Sequence, residues 1–95
     1  MSSGGGRVYV VARVFPKGIE VNLEELKKKI GEVLPKEFQL VKIEEEPIAF
    51  GLKALKVHVV IPEETTGGTE PLERAISSID DVSQVEVIYI TRMFV

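Results

Sequence analysis

Residues 44–62 read EEEPIAFGLKALKVHVVIP, and the reading of this stretch decides the fold. From Leu52 to Ile61 the chain alternates: Leu55, Val57, Val59 and Ile61 fall on one side, Lys56 and His58 on the other. That is the two-residue period of a strand buried on one face. Residues 38–45 are strand-like but alternate poorly. Pro47 and Gly51 predict a loop over residues 44–51, joining two antiparallel neighbours. The centre of the chain is therefore read as strand, loop, strand.

Working outward, residues 7–15 (RVYVVARVF) are dense in β-branched and aromatic residues and close on Pro16, Lys17 and Gly18, which predicts a first strand and a turn. Asn22 then precedes LEELKKKIGEVL, in which Leu23, Leu26, Ile30, Val33 and Leu34 recur at helical spacing. Glu25 sits where a capping-box acid reaches back to the cap, and Pro35 ends the helix. Beyond the central pair, residues 62–68 form a polar loop. Thr69 is the expected cap of a second helix with Leu72, Ala75, Ile76 and Ile79 on its buried stripe. Asp80 and Asp81 interrupt it, and residues 82–92 return to a β pattern. The order is βαββαβ. Right-handed crossovers in both strand-helix-strand units give an α+β, ferredoxin-like sandwich: a four-stranded antiparallel sheet with two helices on one face. With Val57 and Val59 toward the helices, strict alternation puts Tyr9, Val11, Arg13, Lys56, His58, Val60, Glu86, Ile88, Ile90 and Arg92 on the open face.

Composition narrows the function classes. The 95 residues suffice for one core, and the expected organisation is a single domain over residues 7–95 behind a small, flexible tail, MSSGGG, over residues 1–6. There is no cysteine, which excludes disulfides, thiolate metal sites and Cys-His catalysis, and His58 is the single histidine. Twelve Lys plus Arg against 15 Asp plus Glu, a net charge of -3, argue against an affinity built on neutralising phosphates, so no direct nucleic-acid partner is expected. No stretch approaches the roughly 18 to 20 apolar residues of a membrane span, and the N-terminus lacks a signal-peptide pattern. A cytoplasmic protein, monomeric when alone and without a membrane partner, is the expectation.

No catalytic constellation is present: the serines have no base near them in sequence, and one histidine defines no triad. His58 reads as a half-exposed strand residue. Glu44, Glu45 and Glu46 alternate faces in a strand and point apart, so they read as a solvated edge rather than a metal site. Gly67-Gly68-Thr69 lacks the spacing of a phosphate-binding loop and reads as a loop with a cap. Phe50 is different. A large aromatic between a proline and a glycine in a loop either folds back over the core or stands out as an anchor for a pocket in another protein.

At this segment, EEEPIAFGLKALKVHVVIPEE, followed by GGTEPLERAI and VSQVEVIYITR, resembles the guanine-nucleotide exchange domain of translation elongation factor 1-beta in its short archaeal-type form. The likeness runs from about Arg7 to Met93, and its strongest element is Pro-x-x-Phe-Gly-x-Lys-x-Leu at Pro47, Phe50, Gly51, Lys53 and Leu55. The resemblance implies a non-covalent exchange factor, not an enzyme, whose partner is the GTPase elongation factor 1-alpha. It would expel GDP and admit GTP during translation elongation. The implied partner-binding residues are Phe50, Gly51, Lys53 and Arg92, with no catalytic residue, cofactor or metal of the chain's own, since magnesium and GDP or GTP belong to the GTPase. In the family the aromatic of the Phe-Gly loop packs against the GTPase, and a lysine near the C-terminus reaches toward its magnesium site. Here that position holds Arg92, which keeps the charge but replaces a compact ammonium with a planar fork.

Two other classes fit the fold. A small-molecule-binding regulatory module that pairs its sheets as a dimer suits the mixed open face but leaves the Phe-Gly-x-Lys segment unexplained. An RNA-binding sheet needs aromatics on its central strands and a basic surface, and only Tyr9 on this face meets that need.

Overall fold

In a computed structural model, which describes residues 6–65 and 68–93, the elements follow the expected order: β1 (Arg7–Pro16), α1 (Leu23–Val33), β2 (Gln39–Ala49), β3 (Leu52–Pro62), α2 (Glu70–Ser77) and β4 (Val82–Met93). The four strands form one antiparallel sheet in the order β2-β3-β1-β4, the ferredoxin-like arrangement. Residues 1–5 of the expected tail, residues 66–67 of the loop before α2, and residues 94–95 lie outside the described residues. Gly6 is described, and its carbonyl accepts the Glu63 N–H at 3.1 Å.

The core sits between the sheet and the helices. Val10, Ala12 and Val14 of β1 pair with Val59, Val57 and Leu55 of β3, all fully buried, and Leu26, Ile30, Leu72 and Ile76 close over them from α1 and α2. Burying each such Leu or Ile contributes about 1.5–3 kcal/mol, so truncating any of these four weakens the helix-sheet contact. The reading of β3 from its period thus holds at every position from Leu55 to Ile61.

Asn22 caps α1 as expected: its Oδ1 accepts the Glu25 N–H at 3.0 Å. Thr69 does not cap α2 through its side chain; its backbone is already helical, at φ -89° and ψ -5°, which turns the hydroxyl away from the free N–H groups. Ile79 is buried but lies past the end of α2, in the turn into β4.

Two corrections bear on function. The expected loop over residues 44–51 is mostly strand: β2 runs to Ala49, and the connection to β3 is Phe50-Gly51 alone. Extra residues at Val41 and Ile48 in β2 absorb the breaks in its alternation. In β4 the alternation also fails. Val87 pairs with Ala12 and Tyr89 with Val11, so Ile88 is an inserted bulge residue and the phase flips after it. Glu86 stays on the open face opposite Arg13, but Ile90 and Arg92 fall opposite Val10 and Val8, on the helix side. Tyr89 and Thr91 take their places on the open face.

Candidate functional site

The β2-β3 hairpin closes in two residues, and both have positive φ: 54° at Phe50 and 80° at Gly51. Two-residue turns of this kind match the twist of the strands they join and ordinarily use Asn-Gly or Asp-Gly. Phe50 pays the left-handed penalty of a side chain with a Cβ, about 1–2 kcal/mol. Its ring recovers nothing by packing, being fully exposed. The alternative in which Phe50 folds back over the core is therefore excluded, and the ring stands free at the tip of the hairpin.

The tip has apolar neighbours. Ile48 is 44% exposed, and Ile19, in the loop after β1, is 69% exposed with its Cγ2 3.9 Å from the position of a Cβ on Gly51. Pro16, Gly18, Ile19, Val21, Leu23, Gly51 and Lys53 line a shallow groove of about 220 Å³ beside the tip. Lys53 is half-exposed and pairs with Glu45 at 3.4 Å. Glu45 also takes Lys27 of α1 at 3.0 Å, and these hydrogen bonds, led by that of Lys27, hold its carboxyl below the usual carboxylate range. The ion pairs brace the hairpin root against α1. Ile19 was not singled out from sequence; an isoleucine inside a polar turn was the available signal.

Arg92 lies at the other end. It pairs with Val8, which pairs with Ile61, nine residues along β3 from Leu52, so the sheet separates it from the hairpin by about 30 Å. Phe50, Gly51 and Lys53 form one cluster and Arg92 a second. The Arg92 side chain is 67% exposed and forms an ion pair with Glu63.

Between the two ends the mixed open face carries a hydrogen-bonded polar array. His58 holds the Tyr9 hydroxyl at Nδ1, 2.7 Å, and Glu44 Oε1 at Nε2, 2.8 Å, with the Tyr9 and His58 rings edge to face. The His58 side chain is only 12% exposed, more covered than the sequence reading had it. Hydrogen bonding to His58 lowers the Glu44 pKa, and the Arg13 guanidinium, 2.8 Å away, does the same for Glu46. Glu44 and Glu46 share this face while Glu45 points to the helix side, as the alternation predicts. Among the described residues there is no cluster of three His, Cys, Asp or Glu side chains placed to hold a metal, and no helix long and apolar enough to cross a membrane.

A free aromatic at the tip of a two-residue hairpin has the form of an anchor for a pocket in another protein. The family of the EF-1 guanine nucleotide exchange domain matches residues 9–93, and the chain belongs to it. Among similar proteins are elongation factor 1-beta of Desulfurococcus amylolyticus, 51% identical over 92% of this chain and 97% of that protein, and elongation factor 1-beta of Metallosphaera sedula, 52% identical over 90% and 94%. In fold the chain also resembles the C-terminal domain of the MgtC protein from Mycobacterium tuberculosis. That likeness has a TM-score of 0.56 and 16% identity, covers 98% of this chain and 94% of that one, and speaks for the shared architecture alone.

Proposed function

We propose that this chain, a nucleotide exchange factor of translation elongation, docks on elongation factor 1-alpha through Phe50, Gly51 and Lys53 and acts on its nucleotide site through Arg92. Phe50 supplies the anchor and Gly51 the turn that presents it. Lys53 fixes the root of the hairpin beside the contact. Arg92 brings a cation toward the phosphates and competes there for the space and charge of the magnesium ion. No bond is made or broken. The domain binds the nucleotide-free GTPase more tightly than the GDP form, and by linkage it lowers the affinity for GDP by the same factor. Magnesium, GDP and GTP belong to the GTPase, so this chain requires no cofactor and is not an enzyme. It acts as a monomer, in the compartment of translation, without touching nucleic acid or membrane.

The observation that carries this reading is Phe50: a fully exposed aromatic held at φ 54° where a polar residue would be less strained. Strain without local compensation is the mark of a conformation kept for a contact. The test is release of a fluorescent GDP analogue from elongation factor 1-alpha of the same source, chased with excess unlabelled nucleotide. Wild type accelerates release. Phe50→Ala raises the half-saturating concentration at least tenfold, the size of a hot-spot loss of about 1.4 kcal/mol or more. Arg92→Ala slows release at saturation and changes binding less. Both variants matching wild type would overturn the residue assignment, and no acceleration by wild type would overturn the function.

A further inference from the structure

Beyond the last pair of β3, opposite Arg7, Glu63 donates its backbone N–H to the Gly6 carbonyl at 3.1 Å. Its carboxylate then pairs with Arg92 Nη2 on β4. β1 lies between β3 and β4, so this ion pair joins two strands that do not touch, across the start of the strand between them. Gly6 leaves room for the crossing: a Cβ there would stand 2.5 Å from Glu63 Oε1. The Glu63 side chain is 32% exposed and the Arg92 side chain 67%, so the carboxylate is the fixed member and the guanidinium the one able to swing away.

We propose that Glu63 is a built-in competitor for Arg92, occupying its guanidinium in the free domain and yielding it to a phosphate-bearing site on the GTPase. The inference rests on the reading of Arg92 given above and adds a residue that restrains it. Its physical basis is charge. A guanidinium matched by a carboxylate presents little net positive potential to an approaching phosphate, and the carboxylate itself repels that phosphate. A half-exposed pair is weak, so the restraint is readily exchanged and its removal changes exchange activity by a factor of about two to five. Salt screens the pair and shrinks the effect.

Two variants separate the charge of Glu63 from its position. Glu63→Gln keeps the shape and removes the charge. Gly6→Ala keeps the charge and displaces the carboxylate, and should Gly6→Ala fold poorly by thermal unfolding, Glu63→Gln decides alone. Each is assayed for release of the fluorescent GDP analogue at limiting and saturating concentrations, at low and high salt, in wild-type and Arg92→Ala backgrounds. The expected result is a maximal release rate two- to fivefold higher with a half-saturating concentration changed less, a gain that fades with salt and disappears in the Arg92→Ala background. Slower or unchanged exchange by Glu63→Gln, while Arg92→Ala is impaired, would overturn the competitor role and leave the reading of Arg92 standing. A gain that persists without Arg92 would overturn it too, since Glu63 would then act by another route. If Arg92→Ala alone exchanges like wild type, the reading of Arg92 fails and the competitor role falls with it.

Discussion

Phe50 does nothing for the fold of the free domain, and in the proposed function it is the anchor. The residue buries no surface and holds a left-handed conformation, so it contributes nothing favourable to the free domain. Replacing it with glycine relieves the Cβ clash, and asparagine does so in part. Phe50→Gly is therefore expected to raise unfolding stability by about 1 kcal/mol, read as a shift in denaturant midpoint, while weakening binding to the GTPase. A variant both less stable and weaker in binding would show instead that the ring packs in the free protein. Gly51, at φ 80°, has the opposite constraint, because any Cβ there adds the penalty that Phe50 already bears. Sequence showed an aromatic beside a glycine but not the backbone state of either. Positive φ at a phenylalanine is set by the strands closing around it rather than by its own preference.

At the scale of elements, the two helices began from similar signals and ended differently. Asn22 accepts the Glu25 N–H, and Asn22→Ala should cost about 1 kcal/mol in chemical denaturation. Thr69 makes no such bond, so Thr69→Ala should lie within about 0.5 kcal/mol of wild type. Equal losses at the two sites would contradict this assignment of caps. The strands show the same limit of local reading. β3 follows its two-residue period from end to end because both its neighbours pair with it and its inward side chains are fully buried. The edge strands β2 and β4 each have one free side and accommodate inserted residues at Val41, Ile48 and Ile88. The adjacent apolar pair Val87-Ile88 was the sequence trace of the bulge, and reading through it put Arg92 on the wrong face.

For the molecule as a whole, the acidic strand β2 sets an acid limit. Glu44, Glu45 and Glu46 have folded-state pKa values below their ordinary value, through His58, Lys27 and Arg13 respectively. A depressed folded pKa gives stability that is fully present above the unfolded value, about 4.3, and is lost as pH falls through the folded one. The denaturant midpoint should hold from neutral pH to about 5 and decline below about 4, and Glu46→Gln, which removes the nearer of the two carboxylate partners of Arg13, should flatten that decline. A midpoint that rises on acidification would reverse the sign of this linkage. The architecture and core were legible because burial imposes its period on every central position. Of the proposed site, sequence marked Phe50 by its place beside a glycine and Arg92 only by family likeness, because a docking residue is defined by a partner that leaves no periodic trace. Glu63 was invisible, since its neighbours arrive from distant parts of the chain, and Ile19 left only the trace of an isoleucine inside a polar turn. The unbroken central strands have a mechanical consequence as well. With β1 and β3 free of glycine and proline between their ends, the sheet is a lever arm of about 30 Å pivoting at the hairpin. In the proposed docking, a rocking of a few degrees at Phe50 would sweep the distal guanidinium through an arc of ångströms, so the cation would find its seat by rigid tilting of the whole body, without unfolding any part of it.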